Sequence, residues 1–233
     1  MVRLYRISSG LLVVCLLAML AASAGRPSQA EAQAPYRVLL PVLMVPKEVN
    51  VQNYLLRDLG DRSVVTGEVW NGLDQTLFLV YVTVRGYNAQ GALVSSNSGH
   101  VLLTHTPSGG RNPFRIELAG AGIRSVDFEL SWSLRNRDPY TTLPIFDAHI
   151  VHNNGADEFR GLVRNFEKLS IRNARVAVTF YDAAGRVVDA ASADVGSKRI
   201  TSGSSAVYII RLERPVSYAR YELRAEGGIT ATD

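Results

Sequence analysis

Cysteine is almost absent from this sequence. The chain of 233 residues holds one, Cys15, so neither a disulfide framework nor a cysteine-based zinc site can form. Histidine is scarce too. His149 and His152 are three apart, which on a strand places them on opposite faces, and His100 and His105 are five apart, with the same parity. Both pairs read as solvated or hydrogen-bonded side chains, and no metal ligands are assigned. There is no run of Lys or Arg. The formal net charge of +4 falls to 23 basic against 21 acidic residues once Arg3 and Arg6 of the leader are set aside. That balance excludes a protein that reads nucleic-acid phosphates through a basic patch. No H-E-x-x-H, G-x-S-x-G, Walker A or G-x-G-x-x-G pattern occurs. No catalytic residue and no cofactor are assigned, and the expectation is a protein that is not an enzyme.

What is present begins with a leader. Residues 1–24 read as a signal peptide, with Arg3 and Arg6 as the positive start, an apolar stretch from Gly10 to Ala22, and Ala22-Ser23-Ala24 as the cleavage site. The apolar stretch is too short to span a bilayer, so no transmembrane span is expected after cleavage. Val14 before Cys15 argues against a lipoprotein, and the mature chain is expected to begin near Gly25 without cysteine. The expected location is extracytoplasmic, either secreted or associated with the cell envelope. Residues 25–46 carry several prolines among apolar residues, which fits an extended segment and not a helix.

The body of the chain repeats itself. Shifted by 94 residues, 67–118 falls on 161–212 without a gap, and 15 of 52 positions are identical. Ordinary composition gives ~3 or 4. Gly67-Glu68-Val69-Trp70-Asn71 falls on Gly161-Leu162-Val163-Arg164-Asn165, and Tyr87-Asn88-Ala89-Gln90-Gly91 on Tyr181-Asp182-Ala183-Ala184-Gly185. Two units follow, 47–138 and 139–233. Both read as β throughout. Phe128, Leu130, Trp132 and Leu134 alternate with polar residues, as do Tyr208, Ile210 and Leu212, giving one buried face each. Glu222, Arg224 and Glu226 alternate with Tyr221, Leu223 and Ala225 and read as outward. The Asn88–Gly91 and Asp182–Gly185 stretches suit type I turns with Gly at positive φ. Short strands at near-regular spacing suggest the fold class: all-β, two tandem immunoglobulin-like antiparallel sandwiches.

The pattern G-x-V-x-N, then V-x-V-x-Φ-Y-[DN]-x-x-G, then S-G before an alternating aromatic strand, resembles the FxLYD domain. Val178-Thr179-Phe180-Tyr181-Asp182 stands at the name motif, whereas the first copy departs from it with Gly86. The resemblance implies small extracytoplasmic β-sandwich modules, often in cell-envelope proteins, without defined catalytic residues.

One surface stands out. With Val69, Val82 and Val84 facing the core, Trp70, Tyr81 and Tyr87 point the other way, from strands expected to be neighbours in one sheet. The shift sets Arg164, Arg175 and Tyr181 at those places in the second unit. Trp70, Tyr81 and Tyr87 are therefore the candidate binding residues. The functional expectation is an interaction or assembly module at the envelope, with a protein or envelope component as partner. The alternative is a ligand-binding protein, for a polysaccharide for example, using that aromatic face or the cleft between units.

Overall fold

A computed structural model describes residues 48–136, 139–153, 156–212 and 214–230. The leader and the extended segment 25–46 lie outside the described residues. The first half runs β1 (Val49–Asp58), β2 (Arg62–Asn71), β3 (Leu77–Tyr87), β4 (Leu93–His100), β5 (His105–Thr106), β6 (Arg111–Ala119) and β7 (Ser125–Ser133). The second half runs β8 (Tyr140–Leu143), β9 (Ile145–Asn153), β10 (Ala156–Arg164), β11 (Ile171–Tyr181), β12 (Val187–Asp194), β13 (Arg199–Ile200), β14 (Ser205–Arg211) and β15 (Arg220–Ile229). The described structure is all-β, in several antiparallel sheets.

Pairing follows the repeat. In the first half, β1-β2-β6 form one sheet, and β4, β5 and β7 pair with β3 in a second. In the second half, β9-β10-β14 form one sheet, and β12, β13 and β15 pair with β11 in another, which β8 extends beside β15. We refer to these as the β2, β3, β10 and β11 sheets. The β2 and β3 sheets enclose one core around Val65, Val82, Val84, Phe114 and Ile116. The β10 and β11 sheets enclose another around Phe159, Val176, Phe180, Tyr208 and Ile210.

The repeated residues have repeated jobs. A Cβ at Gly67 would lie 2.9 Å from the Phe114 ring, and one at Gly161 2.8 Å from the Tyr208 ring. Each glycine lets a core aromatic from the neighbouring strand lie against the backbone. Asn71 is fully buried; its Nδ2 donates to the carbonyls of Gln75, Thr106 and Pro107, and its Oδ1 accepts from Leu73 N. Asn165 does the same for Leu169 O, Ile200 O and Glu167 N. Asn88 and Asp182 each accept two backbone N–H groups of their turn, which closes through Gly91 at φ 77° and Gly185 at φ 80°. Even the irregularities repeat. Asn53 and Asp147 sit at φ 54° and 52°, and Leu79 and Asn173 both at φ 51°, each inside a register shift.

Two burial expectations need correction. Phe128 and Leu130 pack only partly against the first core, while Trp132 is 39% exposed and Leu134 is exposed too. Phe128 and Leu130 still pack on the core, but Trp132 and Leu134 run past its end. In the second half, β8 pairs beside the matching stretch of β15, where Leu143 is buried. Glu226 was read as outward and is fully buried. The outer face of its sheet is covered.

Candidate functional site

The outer face of the β2 sheet is closed by the outer face of the β11 sheet. On β2 every residue from Ser63 to Val69 is buried. Alternate residues enter the first core, and the others meet the second half, where β12 lies against β1, β2 and β6. Thr66 Oγ1 donates to Val187 O at 2.6 Å. Tyr181 Oη donates to Glu68 Oε1 at 2.7 Å, and Asn53 Nδ2 to Glu68 Oε2 at 3.2 Å. At the far end of the seam Glu226 accepts from Thr104 N and from His105 N, the latter at 3.0 Å. The His105 ring Nδ1 lies 2.6 Å from the same carboxylate. Glu68 and Glu226 are both fully buried. A carboxylate removed from water is tolerated only with such partners, and here the key partners come from the other half.

Beside this seam lies a cleft of about 240 Å³, lined in part by Arg115, Asp189, Arg211 and Arg214. Asp189 is buried and accepts from Arg214 at 2.9 Å, with Arg57 at 3.4 Å and Arg115 at 3.5 Å. Arg115 also pairs with Glu117 at 2.7 Å, and the cleft lining holds three guanidiniums, Arg115, Arg211 and Arg214, against the one carboxylate of Asp189. Arg211 pairs with Glu158 at 2.8 Å, and Arg211 first, then Arg160, hold that carboxyl below its ordinary range.

The three residues singled out in the sequence do not form one face. β2 and β3 are consecutive but lie in different sheets, so Trp70 points to one side of the first half and Tyr81 and Tyr87 to the other. Trp70 is half-buried, and its ring lies over Gly72, where a Cβ would come within 2.7 Å. At the matching place in the second half Arg164 stacks 4.9 Å from the exposed Phe166 ring. Tyr81 is exposed, edge-on to His100 with centroids 4.9 Å apart, and Tyr87 is half-buried.

Sequence reasoning missed Glu68, Tyr181, Glu226, His105 and Asp189. A signal existed: Val64-Val65-Thr66-Gly67 is apolar or small at successive positions, as in a strand covered on both faces. Among the described residues no group of three or more His, Cys, Asp or Glu is placed to hold a metal ion, and no helix is long and apolar enough to cross a membrane.

Burial gives the second half an alkaline weakness. Burial first, then the Glu68 hydrogen bond, raise the Tyr181 hydroxyl far above the ordinary tyrosine value. Tyr208 is pushed up to about 12, by burial first and then by Tyr221, and its hydroxyl has no hydrogen-bond partner. A folded-state pKa raised above that of the unfolded chain gives stability that is complete below pH ~10 and lost as pH rises. Unfolding free energy in urea is therefore expected to fall from about pH 10 upward, and Tyr208→Phe to remove part of that fall without harm at neutral pH. An unchanged alkaline fall in the variant would refute the role given to Tyr208.

No family model matches the sequence, and no curated protein is similar to it. Among solved structures the chain is similar to red sea bream transglutaminase, with 8% identity and a TM-score of 0.25, over 77% of this chain and 29% of that one. The chain thus spans under a third of that protein. That protein is an enzyme, so the comparison runs against the expectation that this chain is not one. At that TM-score the likeness carries no argument for an activity.

Proposed function

We propose that the chain is an exported pair of immunoglobulin-like sandwiches, built from FxLYD-like repeats, that works as an interaction and assembly module at the cell envelope. The leader motivates export, and the G-x-V-x-N and Tyr-Asx-x-x-Gly patterns motivate the family. The observation that carries the reading is the seam. Buried Glu68 and Glu226 each find partners in the other half, which makes the two repeats one stiff body with two outer faces that no described residue covers. A stiff body with large exposed sheets suits holding other components at a fixed spacing. Photo-crosslinkers at the exposed positions Tyr81 and Val207 test this in living cells. The expected result is an extracytoplasmic chain cross-linked to a discrete envelope component from at least one position. A chain retained inside the cell, or one that cross-links to nothing, would overturn it.

The basic cleft favours a second reading, a ligand-binding protein. Arg115, Arg211 and Arg214 outnumber Asp189 in its lining, so an acidic polysaccharide suits it better than a neutral one. Retention on a uronic-acid polymer but not on a neutral glucan, lost in Arg214→Ala, would support this reading. Equal retention on both would remove it.

A further inference from the structure

The seam is asymmetric in a way that leaves two matching surfaces without a partner among the described residues. Within the chain, the outer face of the first half's β2 sheet meets the outer face of the second half's β11 sheet. The second half has its own counterpart of the β2 sheet, the β10 sheet. The first half has its own counterpart of the β11 sheet, the β3 sheet. The layer order is therefore β3 sheet, β2 sheet, β11 sheet, β10 sheet, and the two outermost faces are the pair of surfaces that elsewhere in the chain bind each other.

Exposure follows this order position by position. Pro113 on β6 is buried against the seam, and its counterpart Val207 on β14 is 53% exposed. Val187 on β12 is fully buried, and its counterpart Leu93 on β4 is 56% exposed. On the β10 sheet Phe146, Leu162 and Val207 stand directly opposite one another across three strands, an apolar row where the first half has Gln52, Glu68 and Pro113. On the β3 sheet, Tyr87 stands beside Leu93 where the seam has Tyr181 beside Val187. The partner of Glu68 is Tyr181, so the corresponding partner of Leu162 is Tyr87. The polar pair inside the chain becomes an apolar pair at its ends. The net charges have opposite sign: on the β10 face Arg160, Arg164 and Arg211 outnumber Glu158, and on the β3 face Asp127 and Glu129 outnumber Arg85, with Arg160–Glu158, Arg211–Glu158 and Arg85–Glu129 already paired within the chain.

We infer that the outer face of the β10 sheet docks onto the outer face of the β3 sheet of a second copy of this chain, repeating between molecules the stacking that joins the two halves within one. The proposal rests on the assembly reading and names its partner. Such an interface is heterologous, so it leaves one free face at each end and grows into rings or filaments, not closed two-fold dimers. It also gives Tyr81 and Tyr87 a role as interface residues, while Trp70 takes no part.

Sedimentation velocity of the purified full chain tests this with two exposed-site variants. Val207→Asp places a charge in the β10 face, and Leu93→Asp in the β3 face. Both sites are more than half exposed, so thermal midpoints should match the wild type, and Phe146→Ser with Tyr81→Ser form a second pair at exposed sites. Wild type is expected to give species beyond the dimer that grow with concentration. Each variant alone should self-associate about tenfold or more weakly. An equimolar mixture of the two should recover a one-to-one dimer, because each variant keeps one intact face. A wild-type chain that stays monomeric would overturn the proposal, whether residues 1–47 or another protein cover the faces. So would self-association that neither substitution weakens. A monomer that still cross-links to one envelope protein leaves the assembly reading standing, and a monomer that cross-links to nothing removes both.

Discussion

Glu226→Ala is expected to cost about 3–5 kcal/mol, because deleting one buried acceptor strands several buried hydrogen-bonding groups at ~1–3 kcal/mol apiece. The substitution removes the acceptor for the Thr104 and His105 N–H groups and the partner of the buried His105 ring. None of these groups can turn to water without opening the seam. Glu226→Gln keeps the shape and an acceptor oxygen, so it should cost less, and His105→Ala should cost little further once Glu226 is gone. Urea unfolding of the single and double variants measures the coupling. Alanine at Glu226 costing under about 1 kcal/mol would mean that the seam is open to solvent, and the stiffness argued for the two halves would go with it.

Asn165→Ala and Asn71→Ala are expected to cost about 2–4 kcal/mol each, the summed loss of several buried hydrogen bonds at roughly 1 kcal/mol apiece plus stranded backbone groups. Asn165 ties the β10–β11 turn to Ile200 O at the end of β13, and Asn71 does so for Thr106 O and Pro107 O beyond β5. Asp has the same shape but replaces the NH2 donor with a second acceptor facing those carbonyls. Asn→Asp should therefore be as harmful as Asn→Ala, and worse at pH 7 than at pH 3. Thermal melts of the four variants decide it. An Asp variant as stable as wild type would show that the amide donors are not needed.

These two asparagines mark how far the sequence could be read. Their motif, the core valines and the turn glycines recur at one spacing because each copy needs them to close its own core, so the repeat and its all-β character were legible. The seam was not. A glutamate at an alternate position of a strand reads as solvated, and only the arrival of Tyr181 from the other half makes Glu68 a buried residue. The same gap explains Trp70. Alternation tells which side of its strand a residue takes, but not which sheet the strand joins. β2 and β3 are adjacent in sequence and part into different sheets, so an aromatic patch drawn from both falls apart. Trp132 fails for a third reason: parity is local, whereas the extent of a core depends on what covers its end.

The left-handed residues reach beyond this one chain. Leucine at φ 51° is held at a cost of about 1–3 kcal/mol, yet Leu79 keeps the bend that Asn173 adopts with less strain. Asn53 and Asp147 keep theirs at the same spacing. Most side chains differ between the copies while these kinks recur at the same positions. Heredity here is carried by the path of the main chain more faithfully than by the letters along it. Distant kin of this protein are best sought by the interval between two bends.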